Sequence, residues 1–356
     1  MNFPTSSEFV QPIFYEKEDF LQLQNFLNQT DYSSYFVLMD ENTAQCCWSI
    51  VHQFFPKNQT VSLSLPSGEA TKDLENCEKI WNQLIDVGSD RKTLFVNLGG
   101  GVISDLGAFA ASVYKRGIDF INIPTSLLGM IDASIGGKCG IDFRFFKNQL
   151  GLFRFSKANF VFPNFLKTLP ETELYSGLAE AIKHALIANA VYFKELKNNL
   201  IEGNLWSLSI IQNSIRIKNE IVVQDPDEQS IRKKLNFGHT IGHAIESYFF
   251  EKKQAIPHGY AIAAGMICES YLSVKYTGLA EEGFTEISQL LHSNFKLPLL
   301  SKAAIPKLIT FMQQDKKRAA NEHRFVLLTK IGHAEIDQLV TEDDLVSSIA
   351  HYIDMQ

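Results

Sequence analysis

Four short runs rich in β-branched and aromatic residues, separated by amphipathic stretches, constrain the first half of this chain more than any other feature. The runs are Tyr35–Asp40 (YFVLMD), Val61–Leu65 (VSLSL), Leu94–Leu98 (LFVNL) and Phe120–Ile123 (FINI). Between them lie segments such as Lys72–Ile85, whose apolar residues recur at helical spacing. Parallel strands need a crossover connection, so strands alternating with helices predict a mostly parallel sheet covered by helices. From about Glu171 the pattern changes. Helical periodicity runs through Leu178–Ala188, Leu205–Glu220, His239–Tyr248, Ala261–Val274 and Phe284–His292, with one β-like run at Phe325–Leu328. The expected fold class is an α/β N-terminal domain, residues 1–168, followed by a mainly α-helical C-terminal domain, residues 169–356, hinged near Pro163–Pro170. A chain of 356 residues is long enough for two cores.

The formal net charge of -7 argues against a chain built to coat nucleic acid or an anionic membrane, while leaving room for a local basic pocket. Five cysteines (Cys46, Cys47, Cys77, Cys139, Cys268) form no CxxC pair and are expected to be buried, reduced thiols. The start, MNFPTSSEFVQP, lacks the basic and apolar segments of a signal peptide, and no apolar run reaches membrane-spanning length. A cytoplasmic location is the expectation.

The run Leu94–Leu98 leads directly into Gly99-Gly100-Gly101 and then Val102-Ile103-Ser104-Asp105-Leu106-Gly107. A strand, a glycine cluster and a helix start let backbone N–H groups approach a diphosphate, although such clusters also make plain tight turns. The pattern is not GxGxxG, whose fold places its ribose acid about 20 residues after the glycines. Candidate acids are Asp40, followed by Asn42, and Glu69, both at strand ends, where a carboxylate can equally cap the next helix. A second glycine-rich segment, PTSLLGMIDASIGGKCGID, follows Phe120–Ile123 and carries Asp132 and Lys138 on a small, apolar background. Charges in such a setting need a partner or a ligand, so they read either as a pair tying a loop or as part of a site.

In LNFGHTIGHAIE, His239 and His243 are four apart and share one helix face, without the glutamate of HExxH. Glu180 sits within the helical pattern of GLAEAIKH, and His258 stands at the entry to a small-residue helix. One glutamate and two histidines with an open position match a catalytic zinc site. A lone histidine on an apolar helix is nevertheless more often a core residue.

Taken together, GGGVISDLG, KRG, PTSLLGMIDASIGGK, KNQLG, LKTLP, GLAEAIKH, DEQSIRKKLNFGHTIGHAIE, HGYAIAAGM and DKK resemble, in content and order, the motifs of the 3-dehydroquinate synthase family of sugar phosphate cyclases. The resemblance runs from about Tyr35 to about Gly332. It implies an N-terminal nucleotide-binding domain, a helical C-terminal domain and a homodimer. It further implies that Glu180, His239 and His258 bind Zn2+ or another divalent ion such as Co2+. NAD would be held by Asp40, Asn42, Glu69, Lys72, Gly100, Gly101, Val102, Asp105, Thr125, Ser126, Leu128, Asp132, Lys147 and Thr168. Lys138, Asn148, Lys183, Lys218, Arg232, Asn236, His243, Lys316 and Lys317 would surround the substrate, and Arg116 would reach its phosphate from the neighbouring subunit. That substrate is a phosphorylated sugar acid, so these cations form the basic pocket that the net charge conceals.

The implied reaction converts 3-deoxy-D-arabino-heptulosonate 7-phosphate to 3-dehydroquinate and phosphate, a step of the shikimate pathway. It proceeds by transient NAD oxidation, β-elimination, reduction and intramolecular aldol closure. Within it, Lys138 and Lys183 would stabilise oxyanions and His243 would move a proton. The rivals are a cyclase of other specificity, a metal-dependent polyol dehydrogenase and a catalytically silent binding protein. One departure stands out. The family's usual HGEAVA is here His258-Gly259-Tyr260-Ala261-Ile262-Ala263, which removes a carboxylate from beside a proposed metal ligand.

Overall fold

The computed structural model describes residues 10–144, 146–315 and 323–356. Two compact units emerge, one reaching to Pro170 and including Lys218–Val223, the other comprising Glu171–Ile217 and Gln224–Gln356.

The first unit contains β1 (Ile13–Tyr15), α1 (Leu21–Gln29), β2 (Ser34–Asp40), α2 (Glu41–Cys46), α3 (Trp48–Val51) and β3 (Thr60–Leu65). It continues with α4 (Leu74–Asp86), β4 (Thr93–Gly99), α5 (Gly101–Val113), β5 (Phe120–Pro124), β6 (Lys138–Phe143), β7 (Phe146–Phe153) and β8 (Asn159–Val161). Six strands form one parallel sheet in the order β1-β8-β5-β4-β2-β3. The sequence of each strand reflects its place. Central β4 is buried along its whole length, which explains its nearly continuous apolar run. Edge strand β3 alternates partly buried Val61 and Leu63 with exposed Ser62 and Ser64, the pattern of a half-solvated edge. Helices α4 and α5 close one apolar cluster over β2 and β4, with Ile80, Leu84, Leu106 and Ala110 against Phe36, Leu38 and Phe95.

All four expected strands form. The sequence reading did not include β1 and β8, three residues each and too short for periodicity to register. It also passed over the antiparallel β6–β7 hairpin, because Gly140 faces Gly151 across it and glycines read as loop. Asp73 caps α4 by accepting from the N–H of Asn76, so the helix begins two residues after the expected Lys72. The expectation for the thiols needs one correction: Cys46 is exposed, whereas the other four are buried and free. It lies on the solvent side of the short α2.

The second unit contains α6 (Glu171–Ala188), α7 (Ala190–Ile201), α8 (Leu208–Gln224, whose Lys218–Val223 segment belongs with the first unit), α9 (His239–Glu251) and α10 (His258–Thr277). After these come α11 (Glu281–Asn294), α12 (Ile305–Asp315), β9 (His323–Lys330), β10 (His333–Val340) and α13 (Glu342–Asp354). The β-like run at Phe325–Leu328 is the middle of β9, paired antiparallel with β10. At the centre of this unit is α10, buried on nearly every side and rich in alanine and glycine. Small residues there let neighbouring helices approach closely. A Cβ on Gly265 would lie 2.0 Å from the carbonyl oxygen of Gly238, and one on Gly259 would lie 2.4 Å from that of Ser176. Only glycine fits at these crossings, which bring the starts of α9 and α10, and the middle of α6, to one place. Among the described residues, no helix is long and apolar enough to cross a membrane.

Candidate active site

In the first unit the strand order reverses between β2 and β4: the chain passes outward to β3, then returns on the other side of β2. Parallel sheets bind ligands at the carboxyl ends of strands beside such a reversal. Asp40 ends β2 and Gly99 ends β4. The Gly99 carbonyl accepts from Thr125 N–H at 2.9 Å, which sets the glycine loop against the segment after β5. Helix α5 starts at Gly101 with no side chain capping it, so its first N–H groups suit an anion such as a diphosphate. Val102 is partly buried in that first turn, as is Leu128 nearby in the sequence-predicted set.

Beside this loop lies a buried charge cluster. Lys72 Nζ donates to Asp105 Oδ2 at 2.6 Å and to Asn148 Oδ1 at 2.5 Å. Burial opposes the charge on Lys72, but Asp105 and Glu69 outweigh it and hold the ammonium above its ordinary range. Lys147 pairs with Glu69 at 3.2 Å. Asp132 sits in a single wide turn, Gly129–Ala133, and receives Lys218 Nζ on both its carboxylate (2.6 Å) and its backbone carbonyl (2.7 Å). Three buried asparagines steady the end of that turn. Asn97 donates to Asn122 (2.8 Å), Asn122 to Asn159 (2.9 Å), and Asn159 to the carbonyl of Ser134 (2.9 Å).

Other sequence-predicted residues have local duties. Asp40 caps α2, accepting from Thr43 N–H at 2.8 Å, and Asn42 is exposed on that helix. Ser126 Oγ accepts from Gly129 N–H at 3.1 Å, and Thr168 donates to the Phe165 carbonyl at 3.2 Å. Arg116 is exposed in the left-handed turn after α5, and Lys138 is exposed at the start of β6.

In the second unit, Glu180 is fully buried in the middle of α6, while His239 and His258 open α9 and α10. Glu180 Oε1 lies 3.5 Å from Nε2 of each histidine. The three predicted donors therefore meet. His239 Nδ1 is 3.1 Å from the Phe237 carbonyl, which can only accept, so we assign the ring proton to Nδ1 and the lone pair to Nε2. Burial drives the His239 pKa well below its ordinary value despite the opposing Glu180 carboxylate, so the ring is neutral and ready to ligate. Burial also disfavours a charged His258, but Glu246 and Glu180 overcome it and raise that pKa to about 10. The two rings thus differ in charge. His243, one turn beyond His239, brings its ring nitrogen within 4.8 Å of theirs, so distance alone admits it as a further donor. Lys183 bonds to Glu180 one turn away, inside the same buried face.

Arg232 is almost fully buried, its guanidinium on the Pro226 carbonyl and its backbone N–H on Asp225 at 2.9 Å. Asn236 donates to Glu228 at 3.2 Å. Lys316 and Lys317 lie outside the described residues. Two carboxylates went unassigned in the sequence reading. Glu246 Oε2 is 3.4 Å from His258 Nδ1. Glu269, fully buried on α10, accepts from Gly238 N–H at 2.6 Å and so caps α9 from a neighbouring helix. The signal for both was a glutamate within the buried part of a largely apolar helix.

The fold is shared with NAD+-bound enzymes of known structure. A 2-deoxy-scyllo-inosose synthase complexed with carbaglucose-6-phosphate, NAD+ and Co2+ matches with a TM-score of 0.84, over 95% of this chain and 96% of that one, at 22% identity. The 2-epi-5-epi-valiolone synthase of Streptomyces hygroscopicus, with NAD+ and Zn2+ bound, matches with a TM-score of 0.83 over 100% of both chains, at 22% identity. Sequence identifies the family. The family model for the 3-dehydroquinate synthase N-terminal domain matches residues 62–176, and that for its C-terminal domain matches residues 177–318. The 3-dehydroquinate synthase of Parabacteroides distasonis is 38% identical over 93% of this chain and 94% of that protein. That of Campylobacter concisus is 41% identical over 82% and 83%. The chain belongs to the 3-dehydroquinate synthase family.

Proposed function

We propose that this chain is a 3-dehydroquinate synthase, converting 3-deoxy-D-arabino-heptulosonate 7-phosphate to 3-dehydroquinate and phosphate. The observation that carries the reading is the meeting of Glu180 Oε1 with Nε2 of His239 and of His258, a donor set that fits a catalytic divalent ion. Glu180, His239 and His258 would hold Zn2+ or Co2+, which as a Lewis acid acidifies a bound alcohol and stabilises the ketone it becomes. NAD would take a hydride from the substrate carbinol and later return it, so none is consumed.

The uncapped start of α5 at Gly101 supports a diphosphate there, and the Lys72–Asp105 pair beside it gives a charged wall for the rest of the dinucleotide. Asp40, Asn42, Glu69, Val102, Thr125, Ser126, Leu128, Asp132, Lys147 and Thr168 complete the cofactor set in this reading. Lys183, paired with Glu180 on the same buried helix, would stabilise the oxyanion. His243 lies close to both histidine ligands and takes the part of proton carrier, which keeps one coordination position for substrate. Lys138, Asn148, Lys218, Arg232, Asn236 and the Lys316-Lys317 pair bind the carboxylate and phosphate. Arg116, exposed after α5, serves the site of a second copy in a homodimer.

Recognition of a carboxylate separates this substrate from other phosphorylated sugars. The expected result is 3-dehydroquinate from the heptulosonate phosphate, and kcat/KM about 10⁴-fold lower for an analogue with hydrogen in place of the carboxylate. Product analysis by chromatography and steady-state kinetics on both compounds make the test. Equal turnover of the two, or a carbocycle other than dehydroquinate, would establish a cyclase of different specificity.

A further inference from the structure

We propose that Glu246 is a positioning residue for the metal centre, fixing the imidazole of His258 so that Nε2 points at the ion. The proposal rests on the metal reading above and extends it to a residue outside the ligand set. The geometry is a relay of three groups. Glu246 Oε2 stands 3.4 Å from His258 Nδ1, and His258 Nε2 stands 3.5 Å from Glu180 Oε1. The ring thus has a carboxylate at each nitrogen, Glu246 at Nδ1 and the proposed ligand Glu180 at Nε2. A ligating histidine commonly donates its second ring N–H to such an acceptor, which fixes both tautomer and ring orientation.

Three observations favour this role over a purely structural one. Glu246 is 6% exposed, one of the buried residues of α9 with Ile241, Gly242, Ala244 and Ile245. A carboxylate buried there needs charged or polar partners facing it. It also lies one turn from His243 and two from His239, so a single helix supplies a ligand, a proton carrier and an orienting group on one face. Finally, Tyr260 cannot orient His258 as a carboxylate: its ring packs edge-on against Phe295, with centroids 6.1 Å apart.

The test measures Co2+ affinity by chelator competition, with the visible Co2+ spectrum and thermal unfolding recorded on the same samples. Glu246→Leu removes the acceptor, and Glu246→Asp withdraws it by one methylene while keeping the charge that the fold accommodates. Both are expected to weaken Co2+ binding about 10–100-fold and to shift the Co2+ spectrum, whereas Glu246→Gln, which still accepts from Nδ1, loses less than about tenfold. Should the leucine variant not fold, the aspartate variant decides. Wild-type affinity and spectrum in a folded Glu246→Leu or Glu246→Asp protein would overturn the proposal alone. Failure of the wild-type protein to bind Co2+ would instead overturn the metal reading, and the proposal with it.

Discussion

Replacing His239 with alanine is expected to strip the divalent ion from the protein and to lower kcat/KM by about 10³-fold or more. That ring is neutral. Its Nδ1 proton is engaged by the Phe237 carbonyl at 3.1 Å, and burial keeps the second nitrogen unprotonated. It is therefore a ligand that needs no deprotonation before metal binds, unlike His258. A Lewis acid contributes several kcal/mol to the stabilisation of developing charge, and each 1.36 kcal/mol is about tenfold in rate. His243→Ala provides the contrast. It should keep its metal and lose about 10²–10⁴-fold in rate, the usual contribution of a positioned acid–base group. Metal analysis of both purified variants, with steady-state kinetics, checks the pair. Equal metal loss in both would make His243 a ligand and leave the proton carrier unassigned.

The second large effect is on stability. Lys72→Met is expected to destabilise the fold by about 3 kcal/mol, the low end of the 3–5 kcal/mol typical for breaking a buried ion pair. The low end applies because Asp105 keeps 21% side-chain exposure while Lys72 has only 4%. Methionine matches the lysine stem in length, so the loss comes from the charge and from its bonds to Asp105 and Asn148. Asp105 would then face Glu69 without the Lys72 ammonium, a like-charge contact that burial worsens. Adding Asp105→Leu to Lys72→Met should recover most of the loss, since removing both partners of a buried pair is often close to neutral. Urea unfolding of the single and double variants reads this directly. A single variant with an unchanged midpoint would show that the pair contributes nothing to folding.

Much of the fold was legible in the sequence because burial on two faces leaves an unbroken apolar run, as in Thr93–Gly99, and a solvated edge leaves alternation, as in Thr60–Leu65. The hairpin Lys138–Phe153 was not, since its paired glycines carry no apolar period. Helices Ala190–Ile201 and Ile305–Asp315 were also passed over, although each buries one apolar stripe: Tyr192, Phe193, Leu196 and Leu200 in the first, Ile305, Leu308, Ile309 and Met312 in the second. The candidate site divides similarly. Glu180, His239 and His258 were legible through the motifs around them, but periodicity could not show that three helices converge, which depends on glycines at positions 259 and 265. Glu246 and Glu269 escaped because their partners, His258 and the backbone of Gly238, lie 12 and 31 residues away. Asp40 shows the limit of residue-type reasoning. One strand-end carboxylate suits a ribose or a helix cap equally well, and here it caps α2.

The central claim is that nicotinamide is oxidised and restored within each turnover at a metal-assisted site. It is tested most directly by supplying the protein with excess heptulosonate phosphate, Zn2+ and NAD+ well below the substrate concentration, while following phosphate and NADH together. The account predicts phosphate release far in excess of the NAD+ supplied, matched by 3-dehydroquinate, with no net NADH. Phosphate release that stops at one equivalent of NAD+, or one NADH formed for each product, would contradict it.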